Sequence, residues 1–282
     1  MFSNIVLSGG GMGAISYLGC FKYIDEHKDI KRHIKNILGV SSGAIFSLFF
    51  IFDFTYAETL SFLDKLRSVN MSIVNIKSIL NLNKAFGFDN GDKLMDIVKL
   101  IYDLKNIDHD ITFQEIAKKF GRNLIVATAN ISKGNLFYFC VDNTPEVRVI
   151  DAVKASSSIP FIFTPFIYND EFHVDAFIYE NFPITYFKET IDHTIGLNLV
   201  NEKTPITGII SFIQNIFNTS VDFKASPIHE NECNLITQGN GFNIKKMQFI
   251  LDENTITTQI DLGYNTIKTF VEKKLERLNK FH

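Results

Sequence analysis

The pentapeptide Gly39-Val40-Ser41-Ser42-Gly43 has the pattern of a serine nucleophile held on a tight turn. A G-x-S-x-G run between an apolar strand and an apolar helix takes the backbone through a strained corner, and its small flanking residues let the serine hydroxyl stand clear at the strand's end. Ser41 is the candidate nucleophile, and a helix opening just after it aims its positive end at charge developing there. Taken alone, the pattern also fits a serine that merely caps a helix. A second cluster, Ser8-Gly9-Gly10-Gly11-Met12-Gly13-Ala14, also lies between an apolar strand and a helical pattern. Consecutive glycines let backbone N–H groups converge on an anion, either an oxyanion or a phosphate. The phosphate reading fits Gly9, Gly11 and Ala14 to a dinucleotide fingerprint, which needs an acidic residue about 20 positions on, close to the ribose. Glu26 and Asp29 are near that range, but they sit in a polar segment with Lys28, Lys31 and Arg32. A dinucleotide site also leaves the serine turn unexplained, so the oxyanion reading is preferred.

Both motifs require a strand before them and a helix after them. Asn4 to Leu7 supplies the first strand, and Ile15, Leu18, Phe21, Tyr23 and Ile24 recur at helical spacing behind it. Ile37 to Val40 supplies the second strand, with the apolar stretch Ala44 to Phe54 behind it as a buried helix. Further strands are expected at Asn123 to Thr128, Leu136 to Val141 and Thr194 to Leu199. Between about 53 and 120 the pattern is helical: Leu60, Phe62, Leu63 and Leu66 form one face, and Leu94, Ile97, Val98 and Ile101 another. Thr112 followed by Glu115 is a capping box. Ile260 to Phe281 reads as an amphipathic helix. The segment Ile206 to Phe217 carries a helix-period apolar face with no charge opposite, which suits either burial or a lipid interface. With no repeat or linker, the expectation is one domain over residues 1–282, with a C-terminal helical segment from about 240. Its fold class is α/β with a mostly parallel sheet.

Composition narrows the partners. The 28 basic and 31 acidic residues give a net charge of −3, without the basic excess that nucleic-acid binding calls for, and 46% apolar content excludes a disordered chain. Cys20, Cys140 and Cys233 form no CxxC pair, which argues against a disulfide framework or a thiolate zinc site. The start MFSNIVLSGGG lacks the basic and apolar regions of a signal peptide, so a cytoplasmic protein is expected. Ala44 to Phe54 is about half of the roughly 20 residues a membrane-spanning helix needs. His109 and His173 have no metal-ligand spacing, and no calcium-loop pattern occurs; no metal or cofactor is expected.

Four blocks in order carry a family resemblance. Gly9-Gly10-Gly11, Gly39-Val40-Ser41-Ser42-Gly43, Ala155-Ser156-Ser157-Ser158-Ile159-Pro160, and Asp175 followed by Asn181-Phe182-Pro183 resemble a patatin-like phospholipase, as does Gly263-Tyr264 in the last helix. The resemblance implies a three-layer α/β/α fold and a lipid acyl hydrolase acting through a Ser–Asp dyad. By position, Ser41 is then the nucleophile, Asp175 the acceptor of its proton, and Gly9, Gly10, Gly11 and Met12 the oxyanion hole. The substrate is a phospholipid or another acyl lipid, met by peripheral membrane contact. A lone carboxylate of ordinary pKa, about 4, is a poor base, so Asp175 needs a dry setting, which Phe172, Val174, Phe177 and Ile178 could supply.

Three positions depart from the family pattern. Gly13 and Ala14 stand where a basic residue and a glycine are usual, and Ala176 stands where a glycine follows the aspartate. Were residue 176 to need a positive φ, alanine there would cost on the order of 1–2 kcal/mol and misdirect the carboxylate. A catalytically impaired relative that binds lipid or a protein is the alternative these departures leave open. A Ser–His–Asp triad using His193 or His229 is also compatible with chain order.

Overall fold

A computed structural model of the chain describes residues 1–68, 85–201, 232–237, 242–243, 248–249 and 253–280, together with Phe212 and Asn215. Strand, turn and helix alternate twice in the first fifty residues, as the apolar periodicity requires. β1 (Asn4–Leu7) leads through a 3-10 turn (Gly11–Ile15) into α1 (Ser16–Glu26); after α2 (Lys28–His33), β2 (Asn36–Val40) passes directly into α3 (Ser42–Ile51). There follow α4 (Tyr56–Ser68), β3 (Gly87–Asp89), α5 (Asp92–Leu104), α6 (Phe113–Phe120), β4 (Asn123–Asn130), β5 (Asn135–Cys140) and α7 (Val149–Ser156). The chain continues through β6 (Phe161–Phe163), β7 (Phe166–Tyr168), β8 (Glu171–Asp175), β9 (Thr194–Asn201) and β10 (Glu232–Thr237). The C-terminal helical segment expected from about 240 begins later, as α8 (Glu253–Lys280); Phe242-Asn243 and Gln248-Phe249 pair as short antiparallel strands ahead of it. The helix expected over Ile206 to Phe217 lies outside the described residues apart from Phe212 and Asn215, and His229 lies outside them altogether.

The sheet runs in the order β10-β9-β1-β2-β4-β8-β7, with β5 also on β4. The first five strands are parallel, and β8, β7 and β5 are antiparallel to their neighbours. Ile5, Leu7, Ile37, Leu124, Val126, Ile195 and Leu197 face the larger core, packed under the helices. Val6, Leu38, Val40, Ile125 and Ala127 face a smaller core closed by Ala176, Ile184 and Phe187 of the 3-10 turns at 176–178 and 184–193. A parallel sheet covered on both faces reads in sequence as unbroken apolar runs rather than alternation, which is what NIVL and NILGV are. The expected three layers are thus present, the second outer layer being built, among the described residues, of 3-10 turns. None of the described helices is long and apolar enough to cross a membrane.

Two features of this frame hold the serine and glycine turns in place. First, β4 is shared along one edge by two strands that meet head to head. Val40 of β2 pairs with Ala127, and Asp175 of β8 pairs with the next residue, Thr128, while β5 occupies the opposite edge over both positions. Second, α8 crosses α1 at backbone contact. A Cβ on Gly19 would lie 1.9 Å from the Ile260 carbonyl oxygen, and one on Gly263 would lie 1.8 Å from that of Ser16, so only glycine fits at either place. Cys20 Sγ donates to the Gly263 oxygen at 3.3 Å across the same crossing.

Candidate active site

Ser41 occupies a backbone conformation, φ 54° and ψ −122°, that a residue with a side chain rarely adopts. The cause is the abrupt passage from β2 to α3. A Cβ on Gly39 would lie 2.6 Å from Ala44 N, and one on Gly43 would lie 2.5 Å from the Leu7 carbonyl oxygen, so both glycines of the pentapeptide are there for close approach. The Ser41 N–H donates to Ser156 Oγ at 2.8 Å, and Ser156 Oγ donates to the Ala127 carbonyl at 2.7 Å, which pins the corner to β4.

Asp175 arrives at the same place from the other direction. It ends β8 opposite Thr128, is buried, and its N–H donates to the Ser158 carbonyl at 3.0 Å. Its Oδ1 accepts from the Phe177 N–H at 3.1 Å. Burial pushes the Asp175 carboxyl up to about 7, against the opposing pull of the Ser41 hydroxyl and the Phe177 N–H, which both favour the ionised form. Among the apolar neighbours expected to dry the site, Val174 is buried and Phe172, Phe177 and Ile178 are half-buried. Ala176 is fully buried in a 3-10 turn and is not among the positive-φ residues, so the strain considered for alanine at this position does not arise.

The glycine turn runs beside the serine. A Cβ on Gly9 would lie 3.1 Å from Ser41 Cβ and 2.6 Å from Asn181 Oδ1. Asn181 holds Gly9 on both sides, its carbonyl accepting from the Gly9 N–H at 3.3 Å and its Nδ2 donating to the Gly9 carbonyl at 2.9 Å. The Gly10 N–H donates to Ser42 Oγ at 3.0 Å. That leaves Gly11 and Met12, whose N–H groups have no acceptor among the described residues, on the more exposed part of the turn. Gly13 N–H donates to Gly10 O, and Gly13 O accepts from Ser16 Oγ at 2.7 Å, so the turn is closed by its own backbone where a basic side chain is usual.

Other expectations fall away on position. His193 precedes β9 at the opposite end of the sheet, its Nδ1 against the Met1 carbonyl. Its neighbour Thr194 is level with Asn4 and Asn36, five residues or roughly 16 Å before Ser41, so this histidine does not complete a triad. Glu26 accepts from Tyr264 and Asp29 pairs with Arg32, neither at the end of β2 as a ribose carboxylate would be. His173 is buried among Phe137, Phe139 and Tyr168, with Nδ1 on Thr128 Oγ1, and burial pushes its pKa down, so it is neutral. A cavity of about 620 Å³ walled by Asp92, His109, Arg148 and Lys154 shares no residue with the Ser41 site. The sequence assigns no role to Ser42, Ser156, Ser158 or Asn181. All four lie in blocks the resemblance singled out, but a bond such as Asn181 to Gly9 leaves no spacing in the chain to read.

Comparison with known proteins identifies the family and the fold. The family described as patatin-like phospholipase matches residues 5–188. The chain is 30% identical over 185 residues to "Probable lipid hydrolase 463L" of Invertebrate iridescent virus 6, covering 65% of this chain and 62% of that protein. It is also 30% identical over 201 residues to an uncharacterized protein of Acanthamoeba polyphaga mimivirus, covering 71% of this chain and 66% of that one, so the matches span less than two thirds of either relative. In fold it is similar to VipD from Legionella pneumophila, with a TM-score of 0.60 at 16% identity over 97% of this chain and 67% of that chain. ExoU of Pseudomonas aeruginosa, in complex with SpcU, gives a TM-score of 0.51 at 18% identity over 98% of this chain and 52% of that one. A match over most of the chain, starting at β1 and running past the two strand ends that meet on β4, places this protein in the patatin-like phospholipase family.

Proposed function

We propose that the protein is a lipid acyl hydrolase of the phospholipase A type, cleaving fatty acyl esters through Ser41 and Asp175. The observation that carries this reading is the meeting of β2 and β8 on consecutive residues of β4, which sets a strained serine against a buried carboxylate. With its pKa near 7, Asp175 can take the Ser41 proton as Oγ attacks the ester carbonyl. The N–H groups of Gly11 and Met12 hold the oxyanion, helped by the positive end of α3, while Gly9 and Gly10 shape the turn. Collapse of the tetrahedral intermediate expels the alcohol, which takes the proton from Asp175. Water then attacks the acyl-serine, gives its proton to Asp175, and releases the fatty acid as Ser41 recovers its hydrogen.

The test is release of fatty acid from a phospholipid or a p-nitrophenyl acyl ester. Ser41→Ala is expected to abolish turnover, and a fluorophosphonate should label Ser41 far faster than in denatured protein. Turnover that survives Ser41→Ala sinks the reading.

A further inference from the structure

Large apolar side chains gather at one tip of the sheet. Phe86, Ile131, Phe161 and Ile167 are 55%, 47%, 49% and 59% exposed. They converge on Phe172, whose ring meets Phe86 edge-on at 5.9 Å, whose carbonyl accepts from the Ile131 N–H at 3.0 Å, and whose strand partner is Ile167. Phe161 joins through the register of β6 with Gly87, the residue after Phe86. Two of the four stand on an unusual backbone. Phe86 (φ 56°) and Phe161 (φ 67°) both adopt the left-handed conformation that bulky residues rarely take, so this display is maintained against local strain.

The tip stands at the site end of the molecule. Thr128 of β4 is level with Asp175, and Ile131, the residue just past the end of β4, lies three residues further on, about 10 Å beyond the level of Asp175. Among the tip's described charges Lys133 is bonded to Glu171, and Asp170 of the β7–β8 turn leaves a single negative charge over. Among the described residues the tip carries no unpaired cation to attract an anionic surface, but its apolar side chains match a neutral one.

We propose that Phe86, Phe161, Ile131 and Ile167 insert into an electrically neutral, zwitterionic lipid surface and so hold the mouth of the Ser41 site against it. This rests on the lipid-hydrolase reading for its purpose, but the contact itself can be measured without turnover. Asparagine tolerates the left-handed conformation, so the double variant Phe86→Asn/Phe161→Asn removes the apolar rings without adding backbone strain.

Binding of the full chain to phosphatidylcholine vesicles is measured by flotation in a Ser41→Ala background. The double variant is expected to bind at least about tenfold more weakly, since two aromatic side chains no longer leave water, with Tm not lowered. With Ser41 restored, its activity on a soluble short-chain ester should be unchanged while activity on vesicles falls. Vesicle binding equal to that of the parent overturns the proposal. So does binding that needs anionic lipid or disappears at about 0.5 M salt, which would mark electrostatic attraction. A parent that dimerises through the tip and ignores vesicles overturns it as well. If Ser41→Ala retains turnover but the double variant loses vesicle binding, the catalytic assignment fails and the docking surface stands.

Discussion

At the scale of single residues, the two members of the proposed dyad are both held against their own preference. Ser41 sits where glycine would be at ease, so Ser41→Gly should be more stable than Ser41→Ala, which keeps the strain. The difference expected is about 1 kcal/mol after allowing for glycine's larger unfolded-state entropy, readable by urea denaturation. Asp175 has its pKa raised by burial, and the sign of the consequence is fixed. The native state holds its proton more tightly than the unfolded state, so the stability this residue contributes is present below about pH 4 and is lost as pH rises through about 7. Catalysis needs the ionised form, and kcat/KM should therefore fall about tenfold per pH unit below about 7. Asp175→Asn should lose activity yet gain thermal stability at about pH 8, on the order of 1 kcal/mol and hence roughly 2–4 °C in Tm. Ser41 was legible because its pattern is local. Asp175 was reached only through the resemblance, and Ser156 and Asn181 had no role, because each acts on a partner more than a hundred residues away.

At the scale of elements, the crossing of α1 and α8 extends the glycine turn's support to the far end of the chain. Ser16 both closes the turn through Gly13 and lies under Gly263. Gly263→Ala puts a methyl group into the Ser16 carbonyl, so the helices must separate at a cost above about 2 kcal/mol, and Tm should fall by roughly 5 °C or more. Turnover per folded molecule should fall with it if the turn slackens. Thr112→Ala is the control: it removes the capping box of α6, costs about 1 kcal/mol, and should leave turnover per folded molecule unchanged. The long elements could be read in advance because their apolar residues recur over several turns or form unbroken buried runs. β3, β6 and β7, at three residues each, are too short to show a period, and the first turns of α8, Glu253 to Gln259, are polar but for Ile256 and so carry no apolar repeat.

At the scale of the whole molecule, the net charge of −3 offers no general attraction to anionic membranes, and the apolar tip offers a neutral one a place to hold. Among the described residues no group of three His, Cys, Asp or Glu stands together as a metal site, and the proposed dyad calls for none to generate its nucleophile. Hydrolysis should accordingly survive dialysis against EDTA with less than about a twofold change; full loss restored by calcium would require a metal-dependent step. The sharing of β4's edge also makes that strand a ruler for the dyad, one peptide unit separating the two partners. Length added elsewhere is immaterial to this measurement: a flexible insert at the exposed Asp142-Asn143 turn should leave the pair in place. One residue added between Ala127 and Thr128 would move the carboxylate about 3.3 Å and turn it to the other face of the sheet. By the same logic, two fragments divided at that turn carry one member of the proposed dyad each, and hydrolysis should return only when β8 of one fragment finds its register on β4 of the other.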